Sequence, residues 1–74
     1  MRSLDPEAVE AFLLVAELQS FTRVAGVMNT TQAAISLRLR RLEDLLGHRL
    51  VERTPRRVRL TAAGERFLEP ARAY

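Results

Sequence analysis

Apolar residues recur at three- and four-residue spacings over much of the chain, which predicts helices. The clearest stripe lies between Thr31 and Gly47 and consists of Ile35, Leu39, Leu42 and Leu46. The Thr31 hydroxyl is suited to cap the start of a helix, and Gly47 is suited to end it in the left-handed conformation. The opposite face is small and polar near its start and cationic further along. We therefore predict a helix over 31–47 with one buried face and one face available to a partner.

Two shorter helices are predicted before this one. The first covers 6–18, with Asp5 as its N-cap, and the second covers 21–28, with Ser20 as its N-cap. Residues 29–30 then form a tight turn. A short helix, a tight turn and a helix with a polar outer face are typical of a helix-turn-helix. A generic three-helix bundle is the alternative.

The apolar positions of the first two helices predict how they pack. The first helix is expected to bury one stripe, formed by Val9, Phe12, Leu13 and Ala16. Leu14 and Leu18 point roughly the other way, so they pack either against the C-terminal helix or against a dimer mate. In the second helix, Gly26 either permits close helix approach or is simply tolerated.

After Gly47 the apolar period shortens towards two, which predicts a hairpin over 49–60. A strand over 48–53 with Leu50 inward is followed by a turn at Pro55 and a strand over 57–60. Four arginines lie at or near the hairpin tip: Arg53, Arg56, Arg57 and Arg59. A solvated edge hairpin protected by arginine is the alternative, but this density of arginine favours a wing that contacts a nucleic-acid backbone.

A last helix is predicted from Thr61, its N-cap, and is still continuing at Tyr74. Its apolar seam is formed by Leu60, Ala63, Phe67, Ala71 and Tyr74. Pro70 removes a backbone hydrogen bond inside this helix, so we expect a kink or a local weakening there. The whole chain is therefore predicted to be mainly α, with three core helices, a two-stranded wing and the start of a further helix.

The charge is unevenly distributed along the chain. The net charge is +3, and all 12 basic residues are arginines. Residues 1–31 contain two arginines and four carboxylates, whereas residues 32–74 contain ten arginines and five carboxylates. The second half therefore carries the positive surface expected of a protein that binds a polyanion.

Composition argues against most catalytic and metal-binding roles. There is no cysteine, and His48 is the only histidine, which we interpret as a solvated residue at a helix end. Glu43 and Asp44 are expected to pair with Arg40 or Arg41 on the helix surface instead of forming a catalytic pair. We predict no enzyme activity, no metal and no cofactor. The absence of a signal-peptide core or a membrane-length apolar run predicts a soluble cytoplasmic protein with no membrane partner.

Residues along the whole chain match one family pattern jointly. They are Ser20-Phe21-Thr22-Arg23, Ala25, Gln32, Ala34, Ser36, Arg41-Leu42-Glu43, Leu46-Gly47, Arg49-Leu50, Glu52-Arg53-Thr54, Leu60-Thr61 and Ala63-Gly64. With them the chain resembles the N-terminal DNA-binding domain of LysR-type transcriptional regulators. The resemblance implies a winged helix-turn-helix over 1–60, then a linker helix, begun by 61–74, through which two subunits pair. It also implies binding to interrupted palindromes. The family's effector-binding domain, which senses a small molecule, is absent here, so we expect an isolated domain or a truncated product.

The resemblance also implies roles for individual residues. Base readout falls to Gln32, Ala33, Ser36 and Leu37, and Arg40 lies one turn further along the same face. Thr22, Thr31 and Arg53 match positions of the family that contact the DNA backbone. We also expect backbone contacts from Ser20 and from the other hairpin arginines, which are Arg56, Arg57 and Arg59. Dimerisation is expected to involve Leu14, Leu18, Phe67, Ala71 and Tyr74.

Two of the residues expected to read bases depart from the family pattern. Many relatives have proline where this chain has Ala33, and arginine or glutamine where it has Leu37. Leu37 has no hydrogen-bonding group but could contact a thymine methyl, so specificity is expected to differ. The predicted function is sequence-specific binding of double-stranded DNA as a dimer, with helix 31–47 in the major groove. The alternative is a winged-helix module that pairs with proteins and binds no DNA.

Overall fold

The computed structural model describes residues 4–54 and 57–74 and has the predicted order of elements. These are α1 (Pro6–Leu18), α2 (Phe21–Val27), α3 (Gln32–Leu46), β1 (Val51–Arg53), β2 (Val58–Leu60) and α4 (Ala62–Ala73). The mainly α, winged helix-turn-helix fold class is confirmed. Helix α2 ends one residue earlier than predicted. Both strands are also shorter than predicted, because the antiparallel ladder pairs only residues 51–53 with residues 58–60.

Local capping explains where the helices begin and end. Each predicted N-cap side chain accepts a hydrogen bond from a backbone N–H two or three residues further on, as a helix start requires. These caps are Asp5, Ser20, Thr31 and Thr61. Left-handed residues follow the first three helices, namely Gln19, Asn29 and Gly47. The chain reversals of the fold are therefore set by residues that act locally.

The core is built around α1, and its buried face differs from the predicted stripe. Buried residues of α1 are Ala8, Val9, Ala11, Phe12 and Val15. Leu13 and Ala16, which were predicted to be buried, are only half-buried. The reason is that α1 is contacted by α2, α3 and α4, so no single neighbour defines its buried face. Leu14 and Leu18 are also half-buried and pack against this core.

Helix α4 covers the core from the side of α1. The rings of Phe67 and Phe12 lie 5.3 Å apart between centroids, and Ala71 is buried. The helix continues through Pro70 as far as Ala73. At its end the Tyr74 hydroxyl donates a hydrogen bond to the Leu4 carbonyl, which joins the two ends of the described chain. The predicted seam of α4 therefore packs largely against its own chain.

Candidate nucleic-acid interface

The outer face of α3 is the surface to which the predicted base-reading residues belong. Gln32, Ala33, Leu37 and Arg40 are exposed, and Ser36 is half-buried beside them. The opposite side of α3 is fixed by Ile35, Leu39 and Leu42, which are buried. Because this buried stripe holds the rotation of the helix, the five predicted side chains share one accessible side.

The start of α3 is joined to α2 by a side-chain hydrogen bond. Gln32 Nε2 donates to Thr22 Oγ1 over 2.5 Å. Both residues are exposed, and their bond links the first turn of α3 to the first turn of α2. An amide carries two N–H donors and one carbonyl acceptor, so one donor and the acceptor of Gln32 remain for a ligand. Thr22 thus orients a side chain that was predicted to read a base.

A second connection runs from the hairpin to both helices of the helix-turn-helix. Arg53 Nη1 donates to Ser36 Oγ over 2.8 Å, and its Cζ atom lies 3.9 Å from the centroid of the Phe21 ring. A guanidinium over an aromatic face is held by a cation–π interaction. The sequence placed Arg53 at or near the hairpin tip, but its side chain lies against α2 and α3. The pattern of residues gave no signal for this contact with Phe21.

The C-terminal half of α3 is fastened to the hairpin by Glu43. Its side chain is almost fully buried, and Oε2 accepts hydrogen bonds from the N–H groups of Leu50 (2.8 Å) and Val51 (3.2 Å). Oε1 lies 3.7 Å from Nε of Arg49. The predicted surface pairing of Glu43 with Arg40 or Arg41 is therefore wrong. A signal was available, because Glu43 lies four residues after Leu39 and three before Leu46, on the buried stripe.

The hairpin presents its arginines on two faces. In the antiparallel register Arg53 is opposite Val58, and Glu52 is opposite Arg59. Because side chains alternate along a strand, Arg53 and Arg59 extend from opposite faces. Arg57 is exposed beside the turn, where its N–H donates to Thr54 Oγ1. Arg56, also predicted to contact the backbone of DNA, lies outside the described residues.

The face of the hairpin that carries Arg59 borders a different surface. A cavity of about 820 Å³ lies there between α1, the hairpin and α4. Its lining includes three carboxylates, those of Glu17, Glu52 and Glu65, beside Arg59 and Arg72. An excess of carboxylates does not favour a polyanion, whereas the outer face of α3 carries exposed Arg40 and Arg41 with one exposed carboxylate, that of Asp44. The charge pattern therefore favours the α3 face for nucleic acid.

The residues predicted to dimerise lie in three environments. Phe67 and Ala71 belong to the intrachain packing, Leu14 and Leu18 are half-buried, and Tyr74 is 57% exposed. The apolar character of the first four is thus explained by the fold of one chain, and their role in a dimer stays a prediction. Within residues 4–54 and 57–74, none of the helices has the length and apolar character needed to cross a membrane.

A polar-faced helix after a tight turn, with an arginine-bearing hairpin fastened to it, defines a winged helix-turn-helix of the DNA-binding class. Residues 6–65 match the model of the bacterial regulatory helix-turn-helix proteins of the lysR family. The chain belongs to this family and carries its DNA-binding domain. The predicted family is thereby confirmed.

Similar proteins and structures agree with this assignment. The chain is 46% identical over 74 residues to the HTH-type transcriptional activator AllS of Klebsiella pneumoniae, covering 100% of this chain and 27% of AllS. It superposes on Vibrio fischeri DarR in complex with DNA with a TM-score of 0.91 and 36% identity, covering 97% of this chain and 25% of DarR. It also superposes on the BenM DNA-binding domain in complex with catB site 1 DNA, with a TM-score of 0.86 and 33% identity. This match covers 93% of the chain and 78% of the BenM domain. The chain thus spans about a quarter of the length of AllS.

Proposed function

We propose that this chain binds specific sequences of double-stranded DNA in the bacterial cytoplasm, with α3 in the major groove and hairpin 49–60 on the backbone and adjoining minor groove. One observation carries the proposal. The outer face of α3 is joined to α2 through Gln32 and Thr22 and to the hairpin through Ser36 and Arg53. In the absence of DNA, α2, α3 and the hairpin therefore already form one continuous surface, and this preorganisation lowers the entropic cost of binding. The similar domains of DarR and BenM are both known in complex with DNA, which supports DNA binding by this chain.

The contacts divide by chemistry into readout and positioning. The free N–H and carbonyl of Gln32 match the N7 and N6 groups of adenine, and Arg40 can reach a base or the backbone. Hydroxyls and cations around this face would contact phosphates, which fix register and supply affinity. The candidates beside this face are Ser20, Thr22, Thr31 and Arg53. Arg57 beside the turn, Arg59 on the other face of the hairpin and Arg56, which lies outside the described residues, are further candidates predicted from the sequence.

The same proposal extends to the assembly. Pairing of two chains through the helix begun by residues 61–74 would place two copies of α3 at half-sites of an interrupted palindrome, about one helical turn or a multiple apart. The exposed Tyr74 and the half-buried Leu14 and Leu18 are the candidates for that contact. Because AllS extends well beyond the aligned residues, a small-molecule effector would act through a further domain of a longer protein.

Selection of binding sites from a random DNA pool tests this function, and a Gln32→Ala variant tests the readout. We expect the parent chain to prefer the selected duplex over random duplex. We expect Gln32→Ala to reduce this preference about tenfold, since one bidentate base contact provides about 1–3 kcal/mol of discrimination. Fluorescence anisotropy with both duplexes measures the ratio. A parallel loss of both affinities would remove Gln32 from base readout. No binding of random duplex at low salt and micromolar protein would favour the protein-interaction alternative.

The Arg53→Ala variant tests the role of the hairpin. Since Arg53 lies between α2 and α3 and carries a guanidinium, we expect its loss to weaken binding to every sequence. The slope of log affinity against log salt should fall by about one, as for one lost phosphate contact. Arg66→Ala, which removes the same charge from α4, is the matched control and should leave the slope almost unchanged. Equal slopes for Arg53→Ala and the parent would exclude a phosphate contact.

A further inference from the structure

Leu37 is a large apolar side chain left uncovered on the outer face of α3. It is 50% exposed, whereas Ile35 and Leu39, on the other side of the helix, are buried. Ala33 lies one turn before Leu37 and is also exposed. Ala33 and Leu37 together form an apolar strip along the middle of the surface proposed to enter the major groove.

The side chains around the apolar strip determine what can cover it. Gln32 is oriented by Thr22 on one side, and Ser36 is bonded to Arg53. Arg40 and Arg41 are exposed beside and beyond Leu37. An apolar protein surface that covered the strip would have to desolvate these guanidinium groups. A suitable partner must cover the apolar strip and also interact with the arginines. The major groove of DNA does both, because the C5-methyl of thymine is an apolar group and the phosphates beside the groove can pair with arginine.

We propose that the apolar strip makes this chain a reader of pyrimidine C5-methyl groups, so that its affinity depends on thymine or 5-methylcytosine at one position of each half-site. The proposal rests on the DNA-binding function proposed above. Leu37 has no donor or acceptor, so it does not distinguish the O4 of thymine from the N4 amino group of cytosine. Leu37 would contribute to the free energy of binding by burying its apolar surface against the methyl group. Methylation of a cytosine at this position would therefore strengthen binding.

Site-directed removal of single methyl groups tests the proposal. In the duplex selected by the parent chain, each thymine is replaced in turn by deoxyuridine, and affinity is measured by fluorescence anisotropy. At the sensitive position, cytosine and 5-methylcytosine are then compared in the same way. We expect each methyl group to strengthen binding by the parent about fourfold in both comparisons, the value for burying one such group.

Two variants identify the side chain that senses the methyl group. Leu37→Ala should bind with equal affinity in the presence and absence of the methyl group. Leu45→Ala is the matched control, because Leu45 is an exposed leucine of α3 that lies near Asp5 and Ala8 instead of on the outer face. It should keep the fourfold dependence.

The outcomes separate this proposal from the proposed function. If the parent prefers its selected duplex but binds thymine and deoxyuridine equally at every position, methyl reading is overturned and DNA binding stands. If the methyl effect persists in Leu37→Ala, the effect acts through DNA shape or another residue, which also overturns the assignment. If the parent shows no preference for any duplex, the proposed function fails, and the proposal about methyl groups fails with it.

Discussion

Replacing Gly64 by alanine should destabilise the fold by about 3 kcal/mol or more, the upper range for overpacking a buried site. A Cβ atom built on Gly64 would lie 2.1 Å from the carbonyl oxygen of Leu50 and 3.2 Å from Cβ of Leu60. The obstructing atom at 2.1 Å belongs to the backbone, so no side-chain rotation relieves the overlap. The first turn of α4 would have to move away from the start of the hairpin. For a domain of this size, that cost is a large fraction of its total stability.

Gly26→Ala is the control for the same chemical change. A Cβ atom on Gly26 meets nothing within 4 Å, so the glycine is tolerated and does not serve close helix approach. Alanine should stabilise α2 by about 0.5–1 kcal/mol through helix propensity. Thermal unfolding followed by circular dichroism should therefore shift in opposite directions for the two variants. A stabilised Gly64→Ala would show that α4 does not pack this closely against Leu50.

Where Gly64 approaches Leu50, hydrogen bonds of Thr61 attach α4 to the start of the hairpin. Thr61 N–H donates to the Leu50 carbonyl over 3.0 Å, and the Thr61 hydroxyl donates to the carbonyl of Arg49. The same hydroxyl accepts the N–H of Gly64, so one side chain caps α4 and fastens it to the chain before β1. Thr61 and Gly64 are both among the residues that carry the family resemblance. Only the structure shows that both of them lie against Arg49 and Leu50, just before β1.

Features set by local residues could be predicted from the sequence, and features set by distant neighbours could not. The four N-caps act on groups within three residues, so the helix starts were predicted correctly. The buried face of α1 was only partly predicted, because it depends on how three other helices pack on it. The outer face of α3 was predicted correctly, because the apolar stripe of the same helix shows which side is buried. Its connection to Arg53 was not predicted, because that contact joins residues 17 positions apart.

Replacing Glu43 by alanine should have the second large effect, a destabilisation of about 3 kcal/mol. Two backbone N–H groups, those of Leu50 and Val51, would lose a shared carboxylate acceptor in a buried location. Leaving a buried donor without a partner costs about 1–3 kcal/mol. Glu43→Gln keeps an acceptor oxygen but loses the charge, so we expect a smaller loss of about 1 kcal/mol. Asp44→Ala, at an exposed neighbouring position, should change stability by no more than about 0.5 kcal/mol.

Comparison with Arg49→Ala identifies which contact of Glu43 matters. The Arg49 side chain is 74% exposed, whereas that of Glu43 is only 10% exposed. An ion pair with so exposed a partner is screened by solvent, so Arg49→Ala should cost less than about 1 kcal/mol. Urea unfolding of the four variants gives these differences. An equal effect for Arg49→Ala and Glu43→Ala would show that the ion pair, and not the backbone of the hairpin, is what Glu43 stabilises. If the hairpin bonds dominate, Glu43→Gln should also weaken binding to random duplex, because the hairpin sets the position of Arg53 against Ser36.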